Sequence, residues 1–409
     1  MVPLIFLVLF LGVGLVDNFE AVDKVSTQWL YLSIINFFYI SYTHFFTENP
    51  IYKTFLKNKI ILSYLVFLIF SLFSIFFSIN KVESIIVFQR FIIGLVTIYS
   101  ISTILLSIKK NKLLIISYIF SAFLIIEASY ILSIFLENFD SMKEFGRSQL
   151  QKGFAANINI AAFSIAMKLP FLIFLYSKIQ KNLIIKLLII IALTISIFSM
   201  ILTGSRGALL SLYSQIGLVL ILLLILKNRF FLIKGFLIPY VFSFLISITF
   251  SEYFLETLSV SYRTEQIIER GSKSRLRYYD HAISSFLDKP LSGVGIGNWK
   301  INSIDYDKED IVGYIIPYHA HNDHLQLLAE IGLFGYLFYF LIFILSSFKI
   351  FYNIKKDRSL IILLLFFVVY AIDSNLNFPI ARPMIQIILF SVLAYLIVYN
   401  NNETERISG

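Results

Sequence analysis

The sequence predicts an all-α, polytopic membrane protein with about twelve transmembrane helices. Of its 409 residues, 58% are hydrophobic and 14% are charged, whereas about a quarter of the residues in a soluble domain are charged. The mean hydropathy is +0.83. The apolar residues also occur in blocks of roughly 20, the length that a helix needs to cross a bilayer. With no solenoid repeat and no low-complexity linker, residues 1–409 form one predicted membrane domain.

The apolar blocks place the predicted helices at 2–16, 29–46, 60–79, 86–108, 113–136, 155–176, 183–202, 207–226, 230–250, 325–348, 359–372 and 383–399. The first block has neither a basic n-region nor an A-x-A-like cleavage site, which favours an uncleaved span over a signal peptide. A single long loop, 251–324, separates the ninth helix from the tenth.

The distribution of Lys and Arg predicts the orientation. Alternate short connections are rich in these residues, as at 109–112 and 355–358, and the opposite connections hold fewer of them. Because basic short loops stay in the cytoplasm, both termini are predicted inside and loop 251–324 outside. The net charge of +9 has the same origin, so nucleic-acid binding is not expected. The chain has no cysteine, which excludes disulfides, thiolate metal sites and a cysteine nucleophile.

Polar residues gather in four clusters, all on the predicted outer side. The first, Thr203–Gly207, joins the seventh and eighth helices. Gly204 and Gly207 allow a sharp turn, and Arg206 stands at the start of the next helix. An Arg beside the free N–H groups of a helix N-terminus suits an anion. The alternative is a short hairpin whose Arg meets lipid headgroups.

The second cluster lies in the long loop. Apolar residues recur at helical spacing between Arg275 and Leu287, which predicts an amphipathic helix on the outer membrane surface, with Arg275 and Arg277 near its start. The segment that follows, Gly293–Gly297, matches neither a P-loop nor a dinucleotide-binding fingerprint. It is interpreted either as a mobile turn or as a substrate contact.

The third cluster contains three of the five histidines: His319, His321 and His324. Such residues can transfer a proton near neutral pH, and Asp323 or Glu330 is expected to tune or orient one of them. A three-histidine metal site and plain capping of the tenth helix are the alternatives.

The fourth cluster runs from Arg147 to Asn159, before the sixth helix. Asn157 and Asn159 would either contact sugar hydroxyls or cap the helix, and capping is favoured. Taken together, the clusters indicate a phosphate-rich donor held by Arg206, Arg275 and Arg277, with a histidine accepting the proton of an incoming hydroxyl.

The third cluster also carries a family resemblance. The segment His319–Gly335, HAHNDHLQLLAEIGLFG, resembles the signature of the bacterial O-antigen ligase and O-antigen polymerase superfamily. Two other segments, 203–207 and 274–298, resemble further motifs of that superfamily in the family's order, and residues 153–159 match a looser family pattern. Two positions depart from the pattern, since Asp280-His281 stands where relatives often carry an aromatic residue and Asp323-His324 adds charge after Asn322.

The resemblance implies a glycosyltransferase without metal or other cofactor, in the bacterial inner membrane, with its active site facing the periplasm. The implied donor is a glycan linked to undecaprenyl diphosphate. Arg206 and Arg275 would hold the diphosphate, and His321, with His319 as second choice, would activate or position the acceptor hydroxyl. Asn322, His324 and Asn159 would be contacts for the glycan or acceptor. Attack at the anomeric carbon would expel undecaprenyl diphosphate with inversion.

Four functions compete. The leading hypothesis is an O-antigen ligase acting on lipid A-core or a related acceptor; the closest alternative is an O-antigen polymerase that joins lipid-linked repeat units. A protein O-oligosaccharyltransferase is the third. A flippase or other transporter belongs to a different class and would require ionisable residues within the membrane and repeated halves. Glu127 and Lys168 are the clear mid-helix charges, and the sequence shows no repeat.

Overall fold

A computed structural model describes residues 2–16, 24–46, 55–109, 111–140, 149–179, 181–226, 229–254, 273–307 and 317–399. Helices and their connections make up all of these ranges, and none of them contains a β-strand. The predicted all-α class is therefore confirmed.

The helices, in chain order, are α1 Val2–Leu11, α2 Lys24–Phe46, α3 Lys59–Ser74, α4 Lys81–Ser107, α5 Lys112–Glu137, α6 Ile158–Lys178, α7 Leu183–Leu202, α8 Arg206–Ile225, α9 Ile238–Phe254, α10 Lys273–Asp288, α11 Trp299–Asp307, α12 Asp323–Asn353, α13 Ile361–Leu376 and α14 Pro383–Val398. A helical turn, Arg229–Leu232, and a π-helical segment, Ile233–Leu237, lead directly into α9.

Among the described residues, nine helical segments are long and apolar enough to cross a membrane: α3 to α9, α12 and α13 with the short turns that extend them. The helices α1 and α14 are apolar but shorter, and the 23-residue α2 is not among the nine. Every predicted apolar block thus has a helix, while the count of twelve spans stays a prediction. Lys24 and Lys81, which precede the predicted blocks 29–46 and 86–108, begin α2 and α4.

Asparagine side chains start several of these helices. The Oδ1 atom of Asn58 accepts the Ile60 N–H at 2.9 Å, that of Asn80 accepts the Glu83 N–H at 3.1 Å, and that of Asn182 accepts the Ile185 N–H at 3.0 Å. Each bond satisfies one of the backbone donors that the first turn of a helix leaves unpaired. The sharp boundaries of α3, α4 and α7 follow from these caps.

Helix α6 lies at the centre of the bundle, and 89% of its most apolar stretch of 18 residues is buried. It packs against α5 and α7 on one side and against α13 on the other. The charge of Lys168 on α6 is paired with Glu127 on α5 at 2.5 Å, and Ser164 hydrogen-bonds both side chains. Because an unpaired charge at this depth is costly, the pair joins the two helices.

Helix α12 is broken at Gly332, where φ is 70° and ψ is −179°. A straight helix would separate His324 from Phe340 by about 24 Å, yet their ring centroids are 6.1 Å apart. The first part of α12 therefore folds back sharply against the part that begins at Leu333. The sequence prediction of one continuous helix over 325–348 is wrong at this point.

The glycine-rich segment after α10 satisfies the backbone groups that the break exposes. Its Val294 and Gly295 N–H groups donate to the carbonyls of Ala329 and Glu330, both at 2.9 Å. In return, the Leu333 N–H donates to the Pro290 carbonyl at 2.8 Å. Residues 293–299 are buried, so the segment forms part of the packed interior, which contradicts its interpretation as a mobile turn.

Candidate functional site

The predicted turn between α7 and α8 places Arg206 at the first residue of α8. Gly204 adopts a φ of +65°, which glycine tolerates without strain. A Cβ atom on Gly207 would lie 2.9 Å from the Phe163 ring and 3.2 Å from a Leu376 methyl group. The absence of a side chain at Gly207 therefore lets the start of α8 approach the end of α13.

Helix α10 carries Arg275 and Arg277 in its first turns, as the sequence predicted. Leu276, Ile283 and Leu287 are exposed, so the apolar face of this amphipathic helix points away from the protein. The opposite face packs against α11 and α12. Its position on a membrane surface stays a prediction.

Arg206, Arg275 and His321 come together although they lie far apart in the chain. Burial lowers the pKa of Arg275 below its usual value, and the charge of the neighbouring Arg206 lowers it further. Arg275 in turn acts on the ring of His321. Arg275 thus neighbours both Arg206 and the His321 imidazole, which is an arrangement suited to an anionic substrate.

Tyr279 connects this cluster to α13. Its hydroxyl donates to the Asn375 carbonyl at 2.9 Å and lies 3.3 Å from the His321 carbonyl. It also lies beside the Arg275 guanidinium and the Asn322 side chain. Tyr279 therefore fixes the backbone of the histidine segment relative to α10 and α13.

His321 has a left-handed backbone, with φ at +56°. Such a φ is uncommon for a residue with a side chain and often marks a functional position. The ring lies between Tyr278, nearly parallel at 6.4 Å, and Phe378, edge-on at 5.1 Å. Its Nδ1 atom is buried and hydrogen-bonds to no atom of the described residues. Burial, and then the charge of Arg275, lower the pKa of His321 to about 4, so its imidazole is neutral at pH 7.

His319 occupies a different environment from His321. Its ring stacks on Phe378 at 4.2 Å and lines a small pocket of about 50 Å³, together with Arg90, Lys300 and Tyr318. Burial lowers the pKa of His319 to about 3, with further contributions from Arg382, His321 and Lys300. Phe378 thus separates two neutral imidazoles, and it is His321 that lies beside Arg275.

His324 lies away from the Arg pair. Its Nε2 atom is 3.0 Å from the Ser374 hydroxyl, and its Nδ1 atom is 3.4 Å from the Tyr336 hydroxyl. The edge of its ring faces Phe340. These contacts hold His324 at the junction of α12 and α13.

The predicted asparagine contacts have local structural roles. Asn322 caps α12, because its Oδ1 atom accepts the N–H groups of His324 at 3.0 Å and Leu325 at 3.1 Å. Asn157 caps α6 by accepting the N–H groups of Asn159 and Ile160, which agrees with the favoured interpretation. No contact joins Asn159 to the His–Arg cluster within the described ranges, and Arg147 lies outside them.

Within the described ranges, no hydrogen bond joins Asp323 or Glu330 directly to a histidine, and Glu330 is linked to the His319 side chain through Gln326. Asp323 accepts the Ile380 N–H at 2.9 Å. Glu330 accepts the N–H groups of Gly297 at 2.8 Å and Trp299 at 3.3 Å. Both carboxylates therefore hold backbone segments in place around the site.

Arg277 is paired with a carboxylate, whereas no ion pair joins Arg206 or Arg275 to another described residue. Its Nε atom lies 3.1 Å from the buried Asp307 on α11, and its guanidinium lies over the Tyr278 ring. The same Asp307 oxygen is 3.8 Å from His281, which accounts for the departure of His281 from the expected aromatic residue. The pairing places Arg277 and His281 in the contact between α10 and α11.

The sequence interpretation missed the aromatic walls of the site. Tyr278 stands on α10 and Phe378 follows α13. Their rings flank His321, and Phe378 also stacks on His319. The hydroxyl of Tyr279, also on α10, lies 3.3 Å from the His321 carbonyl. No signal in the sequence places Phe378 beside a segment more than fifty residues earlier.

The three histidines do not converge on a common point. His319 stacks on Phe378, His321 lies beside Arg275, and His324 contacts Ser374. Over the described ranges, no group of three His, Cys, Asp or Glu side chains is arranged to hold a metal ion.

Comparison with known proteins supports the resemblance. A protein-family model described as O-antigen ligase matches residues 189–340. This region extends from within α7 through the arginine turn, α10, the glycine-rich segment and the histidines to α12. No curated protein matches the chain significantly. Residues 189–340 are thus similar to the O-antigen ligase family, which supports the resemblance to the O-antigen ligase and polymerase superfamily that the sequence motifs indicated.

Proposed function

We propose that this protein transfers a glycan from undecaprenyl diphosphate to a hydroxyl of lipid A-core or a related acceptor, at the periplasmic face of the bacterial inner membrane. One observation carries the proposal most directly. A neutral imidazole, His321, lies beside Arg275, which in turn neighbours Arg206. Group transfer from a diphosphate requires both a proton acceptor and cationic groups near the leaving oxygens.

The diphosphate of the donor would bind to Arg206 and Arg275. Guanidinium groups donate paired hydrogen bonds to phosphate oxygens, and the N-terminus of α8 adds free N–H groups beside Arg206. Arg277 is committed to Asp307, so we assign to it the positioning of α10 instead of the direct phosphate contact that the sequence suggested.

In the reaction, the acceptor oxygen forms a bond to the anomeric carbon while the bond from that carbon to the diphosphate breaks. The acceptor proton passes to His321, and both arginines stabilise the negative charge of the departing diphosphate. The anionic donor would also raise the pKa of His321 by offsetting the charge of Arg275, so that His321 becomes a stronger base once the donor is bound. Attack from the face opposite the leaving group inverts the anomeric centre.

The test is transfer by the purified protein from a synthetic undecaprenyl-diphosphate glycan. Lipid A-core and a second lipid-linked glycan are offered separately as acceptors, and wild type is compared with His321→Asn. Asn tolerates the left-handed backbone of this position, so that loss of activity reports the ring and not the fold. Product on lipid A-core that the variant does not form supports the ligase. Lengthened lipid-linked chains would instead identify a polymerase, and transfer by the variant at the wild-type rate would remove His321 from the mechanism.

A further inference from the structure

A groove between α12 and α13 opens next to the arginine and histidine cluster. Its volume is about 440 Å³, and aromatic and aliphatic side chains form most of its wall, among them Phe340, Phe343, Phe348 and Phe367. Polar side chains occur mainly at one end, where His324, Ser374 and Asn375 lie. The groove therefore has a polar end and a long apolar body.

The polar end is continuous with the reacting groups. Asn375 lines the groove, and its carbonyl accepts the Tyr279 hydroxyl, which lies beside Arg275. His324 contacts the Ser374 hydroxyl at the polar end, and its ring also faces the Phe340 ring, where the apolar wall begins. The Tyr279 side chain thus lies between Arg275 and the polar end of the groove. A ligand whose anionic head contacts Arg275 would reach the groove past this one side chain.

The dimensions fit a chain that runs along the helices. From Phe340 to Phe351, the groove follows eleven residues of α12, or about 16 Å at the rise of an α-helix. This is about half of a hydrocarbon core roughly 30 Å thick. Its direction is that of a lipid chain descending from the surface into the bilayer.

We propose that this groove binds the membrane-proximal part of the polyprenyl chain of the donor, with His324 and Ser374 marking the change from headgroup to chain. This inference rests on the proposed function and assigns a site to the lipid portion of the substrate. Charge complementarity favours this occupant, because the arginines beside the polar end match a diphosphate. The competing occupant is an ordinary bilayer phospholipid.

The test compares two donors with the same glycan diphosphate, one with the full polyprenyl chain and one with a short isoprenoid chain. Ser347→Trp places an indole in the groove, whereas Ser133→Trp introduces the same side chain at an exposed position of α5. We expect Ser347→Trp to raise the KM for the long-chain donor by about tenfold, the effect of losing roughly two buried CH₂ groups. The KM for the short-chain donor should stay unchanged, and Ser133→Trp should alter neither.

Equal effects on both donors, or no effect on either, would overturn the groove assignment while leaving the proposed function intact. If wild type transfers from neither donor, the proposed function fails instead. The groove is then tested without turnover, by photocrosslinking a long-chain polyprenyl diphosphate that carries a diazirine on its chain. Labelling of residues 340–351 that excess phospholipid does not suppress, and that Ser347→Trp abolishes, supports the site. Labelling that phospholipid suppresses would show a surface filled by bilayer lipid.

Discussion

The guanidinium of Arg277 forms an ion pair with Asp307, whose side chain is 1% exposed, with 3.1 Å between Nε and Oδ1. This contact joins α10, which carries Arg275, to α11. The two helices flank the glycine-rich segment, so the pair stabilises the part of the fold that holds Arg275, the proposed donor-binding arginine.

The Arg277–Asp307 pair predicts coupled losses of stability. We expect Arg277→Ala and Asp307→Ala each to lower the free energy of unfolding by about 2 kcal/mol, a value between those of exposed and fully buried ion pairs. The double variant should lose little more than either single one, because both remove the same contact. Thermal unfolding in detergent measures this. Additive losses would contradict the pairing. A wild-type melting temperature together with a large loss of donor affinity in Arg277→Ala would also contradict it, and would indicate that Arg277 contacts the diphosphate.

A second prediction concerns the geometry of the diphosphate site. Arg206→Lys and Arg275→Lys should each raise the KM for the donor by about tenfold or more, because lysine keeps the charge but not the paired N–H donors. Arg229→Lys, an exposed position preceding α9, serves as the matched control. Donor titration in the transfer assay measures the effect. Wild-type KM values in both site variants would mean that a point charge suffices and that no paired contact exists.

A third prediction concerns pH. The imidazole of His321 has a pKa of about 4, so it is neutral and able to accept a proton throughout the neutral range. In the free enzyme, kcat/KM should therefore fall only as the pH drops towards about 4. The acid limb of kcat should lie at higher pH, since the bound anionic donor raises the pKa of His321.

Arg275→Gln provides the control for this assignment. It removes a positive charge beside His321, which should move the acid limb of kcat/KM to higher pH. Arg229→Gln, at the exposed position that precedes α9, should leave the acid limb of kcat/KM at its wild-type pH. An acid limb that Arg275→Gln does not move would mean that another group controls the rate in acid.

A fourth prediction concerns the break in α12. A Cβ atom on Gly332 would lie 2.4 Å from the Leu291 carbonyl oxygen, and its φ is +70°. We expect Gly332→Ala to destabilise the protein by about 3 kcal/mol through strain and overlap. Gly217→Ala is the control, because nothing lies within 4 Å of its Cβ position. Thermal unfolding and expression yield measure both. Equal stability of the two variants would show that the break does not depend on glycine.

The sequence predicted the helices and the principal residues of the site for clear physical reasons. Apolar blocks of membrane length determined the helices, and the turn at Gly204 placed Arg206 at the start of α8. Arg206, Arg275 and His321 were predicted to act together, and the structure brings them together. Their chemical roles stay proposals.

Features that depend on tertiary contact were not predictable in this way. The apolar pattern continues through Gly332, and an isolated glycine is common in membrane helices, so nothing in the sequence marked the break. The pairing of Arg277 with Asp307 spans thirty residues and requires α10 and α11 to pack together. The roles of Asp323 and Glu330 depend on backbone N–H groups of distant segments.

The folding back of α12 also sets the depth at which a reaction could occur. His324 lies next to Phe340, whose Cα is about 10 Å along the helix from Leu333. The histidine segment therefore lies alongside the body of α12, about 10 Å from the bend. In the proposed reaction, the acceptor hydroxyl would have to extend past this bend to reach His321. The length of the acceptor headgroup would then contribute to the choice of substrate.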